Sequence, residues 1–250
     1  SIKLIAGVGY MSKVWDIDSN TKAIFVGSHF NAALGVEYHI DFKVSEHIQM
    51  GTGLRFSHFS NGAFRTPNKG TNLASTFLAI RYVPSNNNRT ARLKNESREV
   101  DMPTKRWRTT VFGTWGMKEI VTPFQGKYIS YSLNLASTYK VGEKVSLGAS
   151  LDYFYTSSIL AILEDLNREG VSRKYNNRVG LAGVFNLNFD RWFMEISTGV
   201  YVHDRAKING AIYSRYGLYY VIAEHWTLGA RLKTHFAKAD NFELGLGWTF

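Results

Sequence analysis

Apolar and polar residues alternate one by one through long stretches of this chain, and a period of two selects extended strands over amphipathic helices. From Val145 the order Val-Ser-Leu-Gly-Ala-Ser-Leu-Asp-Tyr-Phe-Tyr puts Val145, Leu147, Ala149, Leu151, Tyr153 and Tyr155 on one face and mostly small or polar residues on the other. From Trp226 the same rule separates Trp226, Leu228, Ala230 and Leu232 from Thr227, Gly229, Arg231, Lys233 and His235. The last segment sets Phe242, Leu244, Leu246, Trp248 and Phe250 against Glu243, Gly245, Gly247 and Thr249. A soluble sandwich would bury the apolar face, whereas a membrane-spanning barrel shows it to lipid and keeps the charged face in a wet lumen. The recurring Arg, Lys, Glu, Asp and His on the second face favour the barrel.

The expected fold is therefore all-β, an antiparallel transmembrane β-barrel of about twelve strands in residues 1–250. The strands are predicted at 1–10, 21–43, 47–59, 71–83, 106–120, 126–141, 144–157, 174–188, 191–203, 211–223, 226–237 and 241–250, with 21–43 long enough to contain a break. Short turns recur at 44–47, 142–144, 188–191 and 224–225, and longer connections at 11–20, 59–70, 158–173 and 203–210, the alternation of outer-membrane barrels. Both termini are then periplasmic. Residues 84–105 form a polar periplasmic loop or a linker between two units. Ile159, Leu160, Ile162, Leu163 and Leu166 give residues 158–169 a helical period within an external loop. No apolar run is long enough for a transmembrane helix. The sequence opens at Ser1 without Met or a signal-like segment, so any export signal is expected to have been removed or to lie outside this sequence, and an outer-membrane location is expected from the strands and from the terminal Phe250, which resembles the C-terminal signal of bacterial outer-membrane proteins. Trp107, Trp115, Trp192, Trp226 and Trp248 fall near strand ends, as interfacial girdles do.

With no cysteine, thiolate catalysis and disulfides are excluded. The net charge of +10 is spread among strands without a dense run, which argues against a nucleic-acid partner. His39, His47, His203, His225 and His235 lack metal-ligand spacing, and Gly51-Thr52-Gly53 and Gly245-Leu246-Gly247 lack the helix of a phosphate loop. Asn95-Glu96-Ser97 matches a glycosylation triplet that means nothing without a suitable host. No metal and no cofactor are expected.

One hairpin carries chemistry. Gly53-Leu54-Arg55-Phe56-Ser57-His58-Phe59-Ser60-Asn61-Gly62 ends one strand, and Pro67-Asn68-Lys69-Gly70-Thr71-Asn72 opens the next. Alternation puts Ile48, Met50, Thr52, Leu54, Phe56, His58 and Ser60 on the apolar face, and Asn72 projects to the same side on the returning strand. Taken singly, His58 and Ser60 fit an ordinary polar hairpin tip. Together with Asn72 they make a catalytic constellation: His58 can take the Ser60 proton, and Asn72 can fix the imidazole tautomer. Polar groups on a lipid face are costly, and action on a membrane lipid is a reason to keep them. Asn61, Asn68 and the Gly62 backbone are candidate donors to a tetrahedral oxyanion. Arg65 and Lys69 are candidates for pairing with lipid phosphates.

His58-Phe59-Ser60-Asn61-Gly62 followed by Pro67-Asn68-x-Gly70 resembles the lipid A 3-O-deacylase (PagL) family over about residues 30–83. That resemblance implies an outer-membrane barrel cleaving an acyl ester of lipid A, with His58 as base and Ser60 as nucleophile. The family's third member is acidic, and Asn72 stands at its position, offering less electrostatic support to an imidazolium. The triad is also similar to that of outer-membrane phospholipase A, a twelve-stranded barrel with a His-Ser-Asn triad. That resemblance implies a phospholipid substrate and calcium dependence, although the sequence supplies no clear acidic calcium cage. Residues 106–250 are explained by neither resemblance, and a noncatalytic channel or a partner of other outer-membrane proteins is the alternative from another class.

Overall fold

A computed structural model describes residues 1–84, 106–120, 126–236 and 238–250. The expected loop or linker at 84–105 and the triplet at 95–97 lie outside the described residues, apart from Pro84. The chain divides into two compact units, Ser1–Asn61 with Pro67–Val100, and Gly62–Thr66 with Asp101–Phe250.

The first unit is an antiparallel meander of four strands, β1 (Ile2–Tyr10), β2 (Phe30–Lys43), β3 (Ile48–Ser60) and β4 (Thr71–Tyr82), paired in chain order. Alternation sorts the two faces. Leu34, Val36, Tyr38, Ile40, Leu54 and Phe56 are exposed on one side, as a lipid-facing wall requires. On the other side Glu37 accepts from Arg55 Nε at 2.9 Å and meets His39 Nδ1 at 2.8 Å and Lys3 Nζ at 3.6 Å. His39 Nε2 faces Asp41 Oδ1 at 2.9 Å.

The second unit contains β5 (Trp107–Lys118), β6 (Tyr128–Lys140), β7 (Val145–Thr156), β8 (Asn177–Phe189), β9 (Trp192–Asp204), β10 (Ile212–Val221), β11 (Trp226–His235) and β12 (Lys238–Thr249). These eight strands close into a barrel. The expectation of one barrel of about twelve strands is corrected here: β12 pairs with β5 from Phe242↔Met117 to Thr249↔Thr110, and the Phe250 N–H donates to Thr109 O at 2.9 Å. That seam seals the wall without the first four strands. Alternation reports which face a residue takes, not which strands meet at a seam.

Side chains fill the lumen of the eight-stranded unit. Asp152 accepts from Arg215 Nη2 at 2.7 Å and also bonds Tyr213 and Asn134. Arg231 donates to Ser132 Oγ at 2.8 Å and pairs with Glu243 at 3.3 Å. Asp240 pairs with Lys118 and, at 3.3 Å, with Lys233. Inward glycines face the large rings: a Cβ at Gly180 would fall 2.6 Å from the Tyr213 ring, and one at Gly247 2.4 Å from Phe112. Small and large residues thereby interdigitate across a narrow barrel. Outside, Trp107 with Tyr139, Trp192 with Tyr220 and Trp226 with Trp248 pair at the short-turn rim, an interfacial girdle. At the opposite end α1 (Ser158–Asp165) buries Ile159 and Leu163 against Ala206. The helical period read over 158–169 therefore stops early, where Asn167 takes a positive φ of 52°.

Residues 21–29, read as the start of a strand, are not one; β2 begins at Phe30. Their backbone is used elsewhere. Ile24 O and Phe25 O accept from Lys69 N and Gly70 N at 3.3 and 3.0 Å, bringing this loop to the entrance of β4.

Candidate active site

The register of β3 against β4 sets His58 directly opposite Asn72, and His58 Nδ1 lies 2.7 Å from Asn72 Oδ1. An amide oxygen accepts only, so the contact holds the proton on Nδ1 and leaves Nε2 as the basic nitrogen. Ser60 follows two residues later on the same face, a Cα separation of about 6.6 Å along an extended strand. Across β2 the neighbours on this face are Leu34 for His58 and Ala32 for Ser60. The site thus rises from an apolar wall at the strand end nearest the 61–70 connection. Ser60 is only 8% exposed, while Asn72 is exposed.

The loop side of Ser60 is built from amides. Asn68 Nδ2 donates to Ser60 Oγ at 2.8 Å, and Asn68 Oδ1 accepts from the Asn61 N–H at 3.4 Å. Asn61 Nδ2 donates to Ser28 Oγ at 2.9 Å, and Asn31 Nδ2 to Ser28 O at 2.7 Å. Behind the histidine lies Gly70, at φ +75°, where a Cβ would fall 2.6 Å from His58 Cε1 and 3.1 Å from Nε2. This position needs glycine on both counts, a left-handed backbone and a ring in contact.

Of the residues singled out from sequence, the structure brings together His58 with Asn72, and Ser60 with Asn68 and Asn61. Gly62 and Arg65 belong to the segment Gly62–Thr66 of the second unit, where Ala63 O accepts from Glu119 N at 2.9 Å and Thr66 N donates to Glu119 Oε2 at 2.8 Å. Ser28, Asn31 and Gly70 went unnoticed as site residues. The Ser28 and Asn31 contacts come from a loop without a period, but the Gly preceding Thr71 sits in the motif itself.

Residues 2–81 match the family model described as lipid A 3-O-deacylase (PagL), and residues 105–250 match the model described as acyloxyacyl hydrolase, C-terminal domain. The chain belongs to the PagL family. Membership makes it an outer-membrane protein of a lipid A deacylase family, and the two matches run through both units, well beyond the motif hairpins at 30–83. No curated protein matches the chain by sequence. Among solved structures, a de novo designed transmembrane β-barrel is similar at 10% identity and a TM-score of 0.35, covering 58% of this chain and 94% of that one. A triple mutant of the Rhodopseudomonas blastica porin is similar at 10% identity and a TM-score of 0.22, over all of both chains. The Salmonella typhi OmpF complex with daunomycin gives 11% identity and a TM-score of 0.25, over 100% of this chain and 96% of that one. TM-scores this low establish no shared architecture.

Proposed function

We propose that this PagL-family chain removes an acyl chain from lipid A by serine ester hydrolysis at the outer end of β3. The observation that carries the reading is the His58–Asn72 contact at 2.7 Å, which leaves Nε2 as the base on the face that Ser60 shares. Ser60 Oγ attacks the ester carbonyl and gives its proton to His58 Nε2, forming a tetrahedral oxyanion. Collapse expels the sugar alkoxide, which takes the proton from His58, and leaves an acyl-Ser60 ester. Water, deprotonated by His58, attacks that ester; its collapse releases the fatty acid and restores the serine hydroxyl.

Asn68 is the assigned polar support. Its Nδ2 lies 2.8 Å from Ser60 Oγ, beside the place where the oxyanion forms, so a small shift of one amide lets it donate to that charge. Asn61 supports Asn68 through its backbone N–H, while its Nδ2 is used on Ser28. The apolar wall around His58 suits a substrate whose acyl chains stay in the bilayer.

A neutral third member favours a second reading, hydrolysis of phospholipid by the same three residues, with the calcium dependence that the phospholipase resemblance implies. Mass spectrometry of lipid A and of phospholipids after incubation with the purified protein, with and without calcium, separates the two. Loss of one acyl chain from lipid A by wild type and not by Ser60→Ala is the expected result. Release of fatty acid from phospholipid alone would replace lipid A as the substrate. Deacylation surviving Ser60→Ala would overturn the serine mechanism.

A further inference from the structure

The loop that follows Ser60 is shared out between the two units. Ser1–Asn61 and Pro67–Val100 belong to the first, whereas Gly62–Thr66, the tip of the connection from β3 to β4, belongs to the second. Both roots of that tip carry the candidate site: the Asn61 N–H donates to Asn68 Oδ1 at 3.4 Å, and Asn68 Nδ2 donates to Ser60 Oγ at 2.8 Å. Within the second unit the tip is fastened along its length. A Cβ at Gly62 would fall 3.1 Å from both Leu232 Cδ1 and Phe242 Cβ, so the backbone there rests on the outer wall of β11 and β12. Leu232 and Phe242 stand opposite each other in register and are partly covered, while Leu228, Leu244 and Leu246 on the same wall are 43% to 53% exposed. Ala63 O accepts from the Glu119 N–H at 2.9 Å, and the Thr66 N–H donates to Glu119 Oε2 at 2.8 Å. Thr66 Oγ1 donates to Ile120 O at 3.3 Å, and Lys127 Nζ lies 3.7 Å from the centre of the Phe64 ring.

We infer that the second unit fastens this loop so that Asn68 stays against Ser60, with Glu119 as the positioning residue. The tip needs an outside hold. Gly62 and Ala63 take successive left-handed conformations, at φ 62° and 64°, and an alanine keeps such a backbone when its surroundings over-determine it. Glu119 supplies that hold from both sides, its N–H on the carbonyl of Ala63 and its carboxylate on the N–H of Thr66, a charge-assisted bond. Thr66 is followed by Pro67 and Asn68, so slack at the tip passes straight to the amide that faces the serine. That amide has one useful orientation: its Oδ1 is tied to the Asn61 N–H, which turns Nδ2 toward Ser60 Oγ. A donor to an oxyanion works through being in place before the charge forms, so a loosened Asn68 loses its effect on the transition state. Glu119 acts through the loop it holds. The inference deepens the serine hydrolase reading and rests on it for the rate, whereas the fastening itself is measurable without any lipid.

Full-length chains carrying Glu119→Ala or Glu119→Gln are compared with wild type in detergent micelles, by amide hydrogen exchange and by initial rates of lipid A deacylation. Glutamine keeps an oxygen for the Thr66 N–H, and alanine removes it. The expected result for Glu119→Ala is about tenfold faster exchange at the Thr66 amide and at the Asn61 amide, whose acceptor is Asn68, with kcat lowered about tenfold at unchanged KM. Glu119→Gln should stay within about threefold of wild type on each measure, and the amides of β7 should exchange alike in all three chains. Faster exchange at Thr66 with none at Asn61 would overturn the inference, because the tip would then be fastened without setting Asn68. An unchanged kcat in Glu119→Ala would overturn it too, as would a raised KM at unchanged kcat, which would make the loop a lipid-capture element. If wild type hydrolyses no lipid ester, the serine reading falls, and the paired exchange at Thr66 and Asn61 still decides whether the second unit holds Asn68 in place.

Discussion

Gly70→Ala tests whether the backing of His58 matters to the chemistry. The new Cβ would lie 2.6 Å from His58 Cε1, where carbon atoms ordinarily rest about 3.6 Å apart, so the ring must retreat by roughly 1 Å. Its Nδ1 is held by Asn72 at 2.7 Å, and the same retreat stretches that contact beyond hydrogen-bond length. A displacement of about 1 Å at a reacting group can cost on the order of a hundredfold in rate, which is about 2.7 kcal/mol of barrier. The left-handed backbone adds a folding cost of about 1–2 kcal/mol. Gly170→Ala separates the two effects, because Gly170 has φ +67° with nothing within 4 Å of a new Cβ. Initial rates of lipid A deacylation, read by mass spectrometry on protein shown to be folded by its heat-modifiable gel mobility, should fall about a hundredfold for Gly70→Ala and stay unchanged for Gly170→Ala. Equal rates in Gly70→Ala and wild type would refute the idea that the glycine sets the imidazole.

Removing the tautomer-fixing contact with Asn72→Ala should slow deacylation about tenfold or more, whereas Asn72→Asp should raise the rate about fivefold by giving the imidazolium a charge-assisted partner; a rate that falls with aspartate would contradict that role. Asn68→Ala should lower kcat by about a hundredfold or more with little change in KM, measured on a dispersed lipid A substrate, as expected for an oxyanion donor. In the second unit Asp152→Ala leaves Arg215 buried without its carboxylate, at a cost of about 3–5 kcal/mol, so the temperature of the heat-modifiable mobility shift should drop. An unchanged transition would mean that Asp152 is not needed to balance that guanidinium.

Faces were easy to read and closures were not. The alternation from Val145 to Tyr155 assigns every side chain of β7 to wall or lumen without reference to any other strand. That β12 meets β5 depends on contacts more than a hundred residues apart, such as Thr249 with Thr110, and no local period encodes it. Ala23, Ile24, Phe25 and Val26 look like strand residues because they are apolar, yet their segment folds as a loop because its carbonyls serve Lys69 and Gly70. The same division holds at the site. His58, Ser60 and Asn72 lie at even spacings on paired strands, so their shared face was legible. The bonds from Asn68 to Ser60 and from Asn61 to Ser28 run through aperiodic loops, and only the fold shows them.

The bonds inside the eight-stranded unit also bear on how it enters the membrane. Asp152 belongs to β7, while Tyr213 and Arg215 belong to β10, and Glu243 of β12 reaches Ser132 of β6. A half-zipped arc of strands would hold these charges without their partners, which disfavours states between the open chain and the closed ring. All-or-none insertion is therefore the expectation for this unit, with the last strand pairing as the step at which the charges find their partners.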